Sequence, residues 1–335
     1  MRPFQYQRAA GVREAIAKAE GCQTCSFLAG GTTVIDLVKL DVEKPEMLID
    51  VGRLPMDTIL RDEEGGLIIG ANVRNSDLAW HSDVQRDYKA LSEALLSGAS
   101  PQLRNRATTA GNLMQRTRCP YFRDNYSPCN KREPGSDCAA LAGYNRSHAV
   151  LGGSDSCIAT HPSDMCVALA AFEATIRVEG PNGSRSIPFA DFHLLPGDTP
   201  HLEHALEQGE LITAVTLPPK RAGTASTYLK SRDRASYEFA LASAAVSFGI
   251  EEGCIVEPKI ALGGVATKPW RCYEAEKNLE GQVASLSVYE KAAEVALAEA
   301  EVFECNAFKV PLARNLLARA LSEVEGRLAR QSEVI

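Results

Sequence analysis

The sequence predicts an α+β protein in two parts, a larger one followed by a smaller one. Three observations predict it. The chain has 335 residues, more than a single hydrophobic core usually serves. Short strand-like runs and helical runs follow one another along its whole length. A Pro218-Pro219 break then separates a last third that has a hairpin and helices of its own. The parts so read are 1–218 and 222–330.

The elements follow in order. "VREAIAKAE" places Val12, Ile16 and Ala19 on one helical face. Phe27, Leu28 and Ala29 read as a short buried strand. Gly30-Gly31-Thr32-Thr33 reads as a tight turn, and Val34 to Leu40 as a helix. "PEMLIDV" and "GGLIIGANV" are two further strands. "DLAWHSDVQRDYKALSEALLSGA" is helical, with Leu91, Ala94 and Leu95 apolar. After a polar segment, "ATHPSDMCVALAAFEATIRVEG" gives a helix and then a strand. Ser163 is its expected N-cap, and Cys166, Leu169 and Ala170 share a face. "ELITAVTLPPKRAGT" is a strand that stops at the prolines. In the last third, "STYLKSRD" and "ALASAAVSFGIEEGCIVEPKIALGGVA" supply alternating strands that turn at "EEG". "SVYEKAAEVALAEAEV" and "FKVPLARNLLARALSEVEGRLAR" supply two helices.

Composition narrows the function. Apolar residues make up 45% and charged residues 24%, ordinary values for a globular chain. A formal charge of −7 argues against nucleic acid, whose phosphates require a basic face. The first twenty residues contain no apolar h-region, and no run of eighteen apolar residues occurs, so neither a secretory signal nor a membrane span is expected. Cytoplasm is the default compartment, with periplasm the alternative through co-export with a signal-bearing partner. Ten cysteines in that setting are expected to be reduced, buried or metal-bound.

Two glycine-bearing segments offer backbone to an anion. In "LAGGTT" the glycines expose N–H groups at a strand-to-helix turn. The segment is not G-x-G-x-x-G and lacks a P-loop lysine, so taken alone a plain turn is the preferred reading. "NRATTAGN", Asn105 to Asn112, adds two threonine hydroxyls and an amide without bulk.

Between Arg118 and Cys157 the chain is polar and rich in proline. It carries Cys119, Cys129, Cys138 and Cys157 at C-x9-C-x8-C-x18-C. Three readings compete: an iron–sulfur cluster, structural zinc and unligated thiols. Zinc usually takes close C-x2-C or C-x4-C hooks. A dedicated loop accommodates irregular cluster spacing, and so polar a segment needs a bound metal to offset its ordering entropy. The cluster is favoured, with Arg118, Arg123, Lys131 and Arg132 available to balance its charge. The remaining cysteines read as unligated: Cys22 and Cys25, although they form a C-x-x-C, together with Cys166, Cys254, Cys272 and Cys305. His148 and His161 flank Cys157 and read as hydrogen-bonded polar histidines rather than cluster neighbours. The sequence shows neither a Ser-His-Asp set nor paired carboxylates, which fits chemistry carried by a cofactor.

At this point "FLAGGTTVIDLVKL", "RNRATTAGNLMQ", "HPSDMCVALAAFEA", "ELITAVTLP", "YLKSRDRASYEFALASAAV" and "ALGGVATKPWR" stand in an order that resembles one family. It is that of the FAD-binding medium subunits of the molybdenum hydroxylases, the xanthine dehydrogenase group. The cysteine loop is similar to the branch of bacterial periplasmic aldehyde oxidoreductases, whose flavin subunit carries an extra [4Fe–4S] cluster. The resemblance implies a two-part, PCMH-like FAD-binding domain over 1–218 with an iron–sulfur insertion at 117–158. A smaller α+β domain of the CO dehydrogenase flavoprotein C-terminal type would follow.

The resemblance also implies FAD held by Leu28, Ala29, Gly30, Gly31, Thr32, Thr33, Val34 and Ile35. Asn105, Thr108, Gly111 and Asn112 would continue the site, and Asp164, Leu206 and Lys230 would complete it. Cys119, Cys129, Cys138 and Cys157 would bind the cluster. The chain would act as an electron-transfer subunit without catalytic residues of its own. It would sit in a heterotrimer with a molybdenum-cofactor large subunit and a [2Fe–2S] small subunit, passing electrons to an external acceptor. The implied reaction is aldehyde oxidation. Purine, aromatic-CoA or carbon monoxide substrates are the nearest alternatives, and a zinc-stabilised interaction module is the non-catalytic one. Two departures from the family stand out. Ala110 precedes Gly111 where Gly-Gly is usual, and a positive φ there would strain it by roughly 1–2 kcal/mol; a harmless Ala110 is the preferred reading. Tyr237-Glu238-Phe239 replaces a common acidic run.

Overall fold

The computed structural model describes residues 1–22 and 24–332. Three sheets organise it. Strands β1 (Gln5–Arg8), β2 (Cys25–Leu28) and β3 (Met47–Asp50) form a small parallel sheet in the order β1-β3-β2, with Leu28 opposite Asp50. Strands β4 (Ile59–Arg61), β5 (Leu67–Gly70), β6 (Thr175–Gly180), β7 (Gly183–Pro188) and β8 (Leu211–Leu217) form an antiparallel sheet in the order β4-β5-β8-β6-β7. Strands β9 (Thr224–Ser231), β10 (Ala242–Glu251), β11 (Cys254–Gly263) and β12 (Trp270–Arg271) form the last sheet in the order β12-β11-β10-β9.

The first two sheets share one core with the Val12–Glu20, Lys89–Ser97 and Asp164–Ala171 helices. The last sheet packs its own core against the Tyr273–Leu279, Leu286–Ala296 and Lys309–Ser332 helices. The Asp164–Ala171 helix is buried all round because it packs on both. Its start is as expected, with the Cys166 N–H donating to Ser163 Oγ at 3.1 Å.

Two expectations change. The helical run 77–99 is three helices, Asn75–Trp80, Ser82–Asp87 and Lys89–Ser97. His81 is extended between the first two, and Tyr88 turns away from helical geometry so that its buried hydroxyl donates to Pro218 O at 2.6 Å. Strand β10 and the second half of β11 are buried on both faces rather than alternating, because the Lys309–Ser332 helix on β10 and the Tyr273–Leu279 helix on β11 cover one side and the Asp164–Ala171 helix the other. Strands β1, β4, β7 and β12 and the Tyr273–Leu279 helix carry no strong period of their own and are set by their neighbours. The "EEG" turn is as expected, with Glu252 and Gly253 both at positive φ (51° and 80°), the primed geometry of a tight hairpin.

Candidate cofactor sites

The first site begins where β2 ends. The chain from Ala29 to Thr33 turns into the short Val34–Lys39 helix. The two glycines are needed for different reasons. Gly31 has φ +74°, a region that favours glycine. Gly30 lies so close to the second glycine-bearing segment that a Cβ would sit 2.4 Å from Arg106 O and 3.2 Å from Ala107 Cα. Arg106 Nε also donates to Gly30 O at 3.2 Å. The two segments therefore form one wall.

That wall lines a cavity of about 690 Å³. Among the described residues, the backbone N–H groups of Gly30, Gly31, Thr32 and Thr33 donate to no protein acceptor. A run of free N–H donors on a cavity wall suits a pyrophosphate. With so short a helix behind them, these N–H dipoles rather than a helix macrodipole supply the attraction. The second segment is already satisfied. Thr109 N–H donates to Val73 O, Ala110 N–H to Ala71 O, and Gly111 N–H to its N-cap Thr108 Oγ1 at 3.2 Å. Ala110 lies inside the Thr109–Leu113 helix and is not among the positive-φ residues, so it is unstrained.

Of the residues expected at FAD, Ala29 to Val34, Thr108, Gly111 and Leu206 line this cavity. Leu28, Ile35, Asn105 and Asn112 stand behind the wall: Asn105 O accepts from Arg74 Nη1 at 2.6 Å, and Asn112 Oδ1 accepts from Ser163 Oγ at 2.7 Å. Asp164 and Lys230 are not on it. They form a buried ion pair at 2.8 Å, with the Tyr228 hydroxyl also donating to Asp164. Asp164 instead lines a smaller cavity of about 190 Å³, with Cys119 and His148, and His161 lines both cavities. A wider cleft of about 1040 Å³, beside Lys89, Lys220 and Arg330, contains none of the expected residues.

Sequence reading took His161 as a polar histidine and missed its meeting with His193 at the large cavity. Ligating atoms of His161, Cys166 and His193 lie within 4.8 Å of one another. His193 Nε2 donates to Leu113 O at 3.2 Å, and the Ser163 N–H faces His161 Nδ1 at 3.4 Å. These partners leave a proton on His161 Nε2 and a lone pair on His193 Nδ1. Among the described residues neither of those two nitrogens has a hydrogen-bond partner, and the rings meet edge to face at 4.4 Å. Burial keeps both neutral, holding His193 at about 4 and His161 well below its ordinary value. No spacing in the sequence foretells the pair.

The second site is the cysteine loop. Cys119, Cys129 and Cys157 join Phe122, Ala159, Leu37 and Val42 in a small core of their own. Thus three thiols are themselves much of what this polar loop buries. Cys129 and Cys138 face each other in an antiparallel bridge, and Cys157 bridges Ser154. Burial pushes Cys119 up to about 12 and Cys157 to about 11, and it raises the half-buried Cys138. Neighbouring thiols add to each rise: Cys129 and Cys157 act on Cys119, and Cys138 and Cys129 act on Cys157. Thiols such as Cys119, Cys138 and Cys157, which resist ionisation alone, suit a cation that binds them as thiolates.

The basic residues hold the loop together. Arg118 and Arg123 both pair with Asp36, at 3.1 and 2.8 Å. Arg132 donates to the carbonyls of Tyr121 and Phe122, and Lys131 to Pro200 O at 2.9 Å. Even so, Arg118 Nε, Arg123 Nη1 and His148 Nδ1 are buried without partners. The expectation for His148 is corrected: it is the neighbour of a thiol, with Nε2 3.1 Å from Cys119 Sγ.

With this geometry in hand, comparison with known proteins is decisive. Residues 2–220 match the FAD binding domain in molybdopterin dehydrogenase, and residues 226–324 match the CO dehydrogenase flavoprotein C-terminal domain. The chain belongs to the FAD-binding medium subunits of the molybdenum hydroxylase family. This FAD subunit is 51% identical over 332 residues to the aldehyde oxidoreductase FAD-binding subunit PaoB of Escherichia coli (strain K12), covering 98% of this chain and 100% of the relative. It is 29% identical to the glyceraldehyde dehydrogenase medium chain of Sulfolobus acidocaldarius, over 83% of this chain and 82% of that one. Among solved structures it is similar to carbon monoxide dehydrogenase from Hydrogenophaga pseudoflava lacking the Mo-pyranopterin moiety, at TM-score 0.77 and 27% identity over 98% of this chain and 99% of that one. The medium subunit is therefore an oxidoreductase component that binds FAD. Among its described residues no helix is long and apolar enough to cross a membrane.

Proposed function

We propose that this FAD subunit also carries a [4Fe–4S] cluster on Cys119, Cys129, Cys138 and Cys157. In this reading it relays electrons within a molybdenum-dependent aldehyde oxidoreductase. A molybdenum subunit oxidises the aldehyde, a [2Fe–2S] subunit passes the electrons on, and they leave this chain for an external acceptor. The aldehyde rests on the 51% identical relative. FAD, when bound, exchanges single electrons for pairs.

One observation carries the reading: the two sites meet on one short helix. Val34 at its start lines the large cavity, and one turn later Leu37 packs into the thiol core. Asp36 between them anchors Arg118 and Arg123 of the cysteine loop. A group in the cavity and a group on the thiols would then be separated by little more than a helical turn. The N–H groups of Gly30 to Thr33 would hold the pyrophosphate, and Thr108, Gly111 and Leu206 would line the rest.

The thiol spacing favours iron over zinc. A tetrahedral Zn–S4 site, with Zn–S near 2.3 Å, brings its sulfurs to roughly 3.8 Å of one another. The groups of three ligands found within 4.8 Å among the described residues do not include these thiols. A cubane holds them farther apart, because each thiolate binds a different iron. The test is a visible spectrum and metal analysis of protein purified without air, before and after Cys129→Ser. Flavin bands with about four irons per chain, and iron lost while FAD is kept in the variant, are expected. Zinc, or no metal, in the wild-type protein would remove the cluster and leave the flavin reading standing.

A further inference from the structure

We infer that His148 donates a hydrogen bond to the sulfur of Cys119 and thereby raises the reduction potential of the cluster. This rests on the cluster reading above. The ring is buried, with Nε2 3.1 Å from Cys119 Sγ. Its Nδ1 is buried and has no partner. A proton on Nε2 leaves that orphan as an unsatisfied acceptor, whereas a proton on Nδ1 would leave a buried N–H without an acceptor, the rarer and costlier case. The tautomer that suits the interior is therefore the one that points N–H at sulfur.

The backbone that carries the ring is held from both parts of the chain. The His148 N–H donates to Asn145 O at 3.0 Å. Its carbonyl accepts from Lys309 Nζ at 2.9 Å, and the same ammonium donates to Ser147 O at 3.0 Å and Gly264 O at 2.6 Å. Lys309 lies on the last helix and is fully buried. Asn145 is tied in turn by its Oδ1, which accepts from Cys305 N–H at 3.0 Å. With its backbone N–H and carbonyl both bonded, the buried His148 is anchored at the root of its ring, beside Cys119.

Its effect follows from charge. Reduction adds one electron to a cluster already carrying four thiolates, and no proton need move. An N–H dipole aimed at a ligand sulfur stabilises the more negative state more, so the potential rises. Cys157 Sγ instead receives a backbone N–H, from Ala159 at 3.5 Å, and Cys138 is likewise reached by backbone N–H groups. Those cannot be removed by substitution, whereas His148 can. The ring is not itself a ligand in this reading, since four thiolates complete the set and Nε2 faces sulfur.

The test uses the assembled complex purified without air, as wild type, His148→Phe and His148→Gln. Iron is counted first: wild type without about four irons per chain ends the cluster reading, separately from this one. A redox titration followed by electron paramagnetic resonance then gives the midpoint potentials. His148→Phe is expected to shift the cluster's electron equilibrium about tenfold towards the oxidised form, about 59 mV for a one-electron couple, with the FAD potential unmoved. His148→Gln, which keeps an amide N–H, is expected to shift less. In pulsed spectra the wild-type cluster should couple to a ring nitrogen and an exchangeable proton. A four-iron His148→Phe complex at the wild-type potential would overturn the inference. Should that variant fail to hold iron, the wild-type nitrogen coupling decides alone: its presence supports the hydrogen bond and its absence overturns it.

Discussion

Substituting Gly30 by alanine tests the proposed flavin cavity directly. The added Cβ would lie 2.4 Å from Arg106 O, 3.1 Å from its carbonyl carbon and 3.2 Å from Ala107 Cα, all of them backbone atoms. No side chain can rotate out of the way, so the two wall segments must separate by the better part of an ångström. Overpacking of this kind costs about 1–3 kcal/mol. If the strain is relieved by displacing the Gly30–Thr33 N–H groups, the same energy appears as about 5- to 150-fold weaker FAD binding, at 1.4 kcal/mol per tenfold. Gly31→Ala fails differently. It meets only side-chain atoms of Ile35 and Leu28 at 3.3 Å, but it forces φ +74° on alanine, for roughly 1–2 kcal/mol. Gly11→Ala, with nothing within 4 Å and extended backbone, is the control. FAD affinity of the deflavinated complex, by fluorescence titration, is read beside the melting temperature. Gly30→Ala with unchanged affinity and unchanged melting would refute the packing argument. A lowered melting temperature with unchanged affinity would show that the wall is structural and that FAD binds elsewhere.

Two further outcomes follow from buried groups. Lys230→Met leaves Asp164 buried with the Tyr228 hydroxyl in place of its cation. It should destabilise the protein by about 3–5 kcal/mol, and adding Asp164→Leu should recover most of that loss; a denaturant titration of all three proteins, in which the double variant was no better than the single, would contradict this. Burial pushes the Cys166 thiol up to about 12, so at pH 8 only about one in ten thousand is thiolate. Iodoacetamide should therefore leave Cys166 unmodified in the native protein and modify it after unfolding, as read by mass spectrometry; rapid native labelling would mean that the Asp164–Ala171 helix is not buried as described.

Much of the cavity wall proposed for flavin was legible because it is local. A strand, two glycines, two threonines and a helix are consecutive residues, and a backbone nest needs nothing from elsewhere in the chain. Ser163 as an N-cap and the Glu252-Gly253 turn are local in the same sense. Three of the cysteines stood out because Arg118 to Cys138 contains no aliphatic residue, so the thiols were its main apolar content besides a few aromatics and prolines. The breaks at His81 and Tyr88 were not legible, because the turn at Tyr88 answers to Pro218 O, 130 residues away.

By itself, then, the sequence determined which short segments could meet an anion and which thiols share one polar loop. Only the tertiary structure decided what those groups face. It packed Gly30 on Arg106 O, put Val34 and Leu37 of one short helix between the two sites, and buried Asp164 against Lys230 instead of leaving either on the cavity wall. It also set His148 against Cys119 by clamping its backbone with a lysine from the last helix. Local patterns report the conformations a segment can adopt. Contacts between residues far apart in the chain depend on how the cores of the two parts close on each other, and no short window contains that.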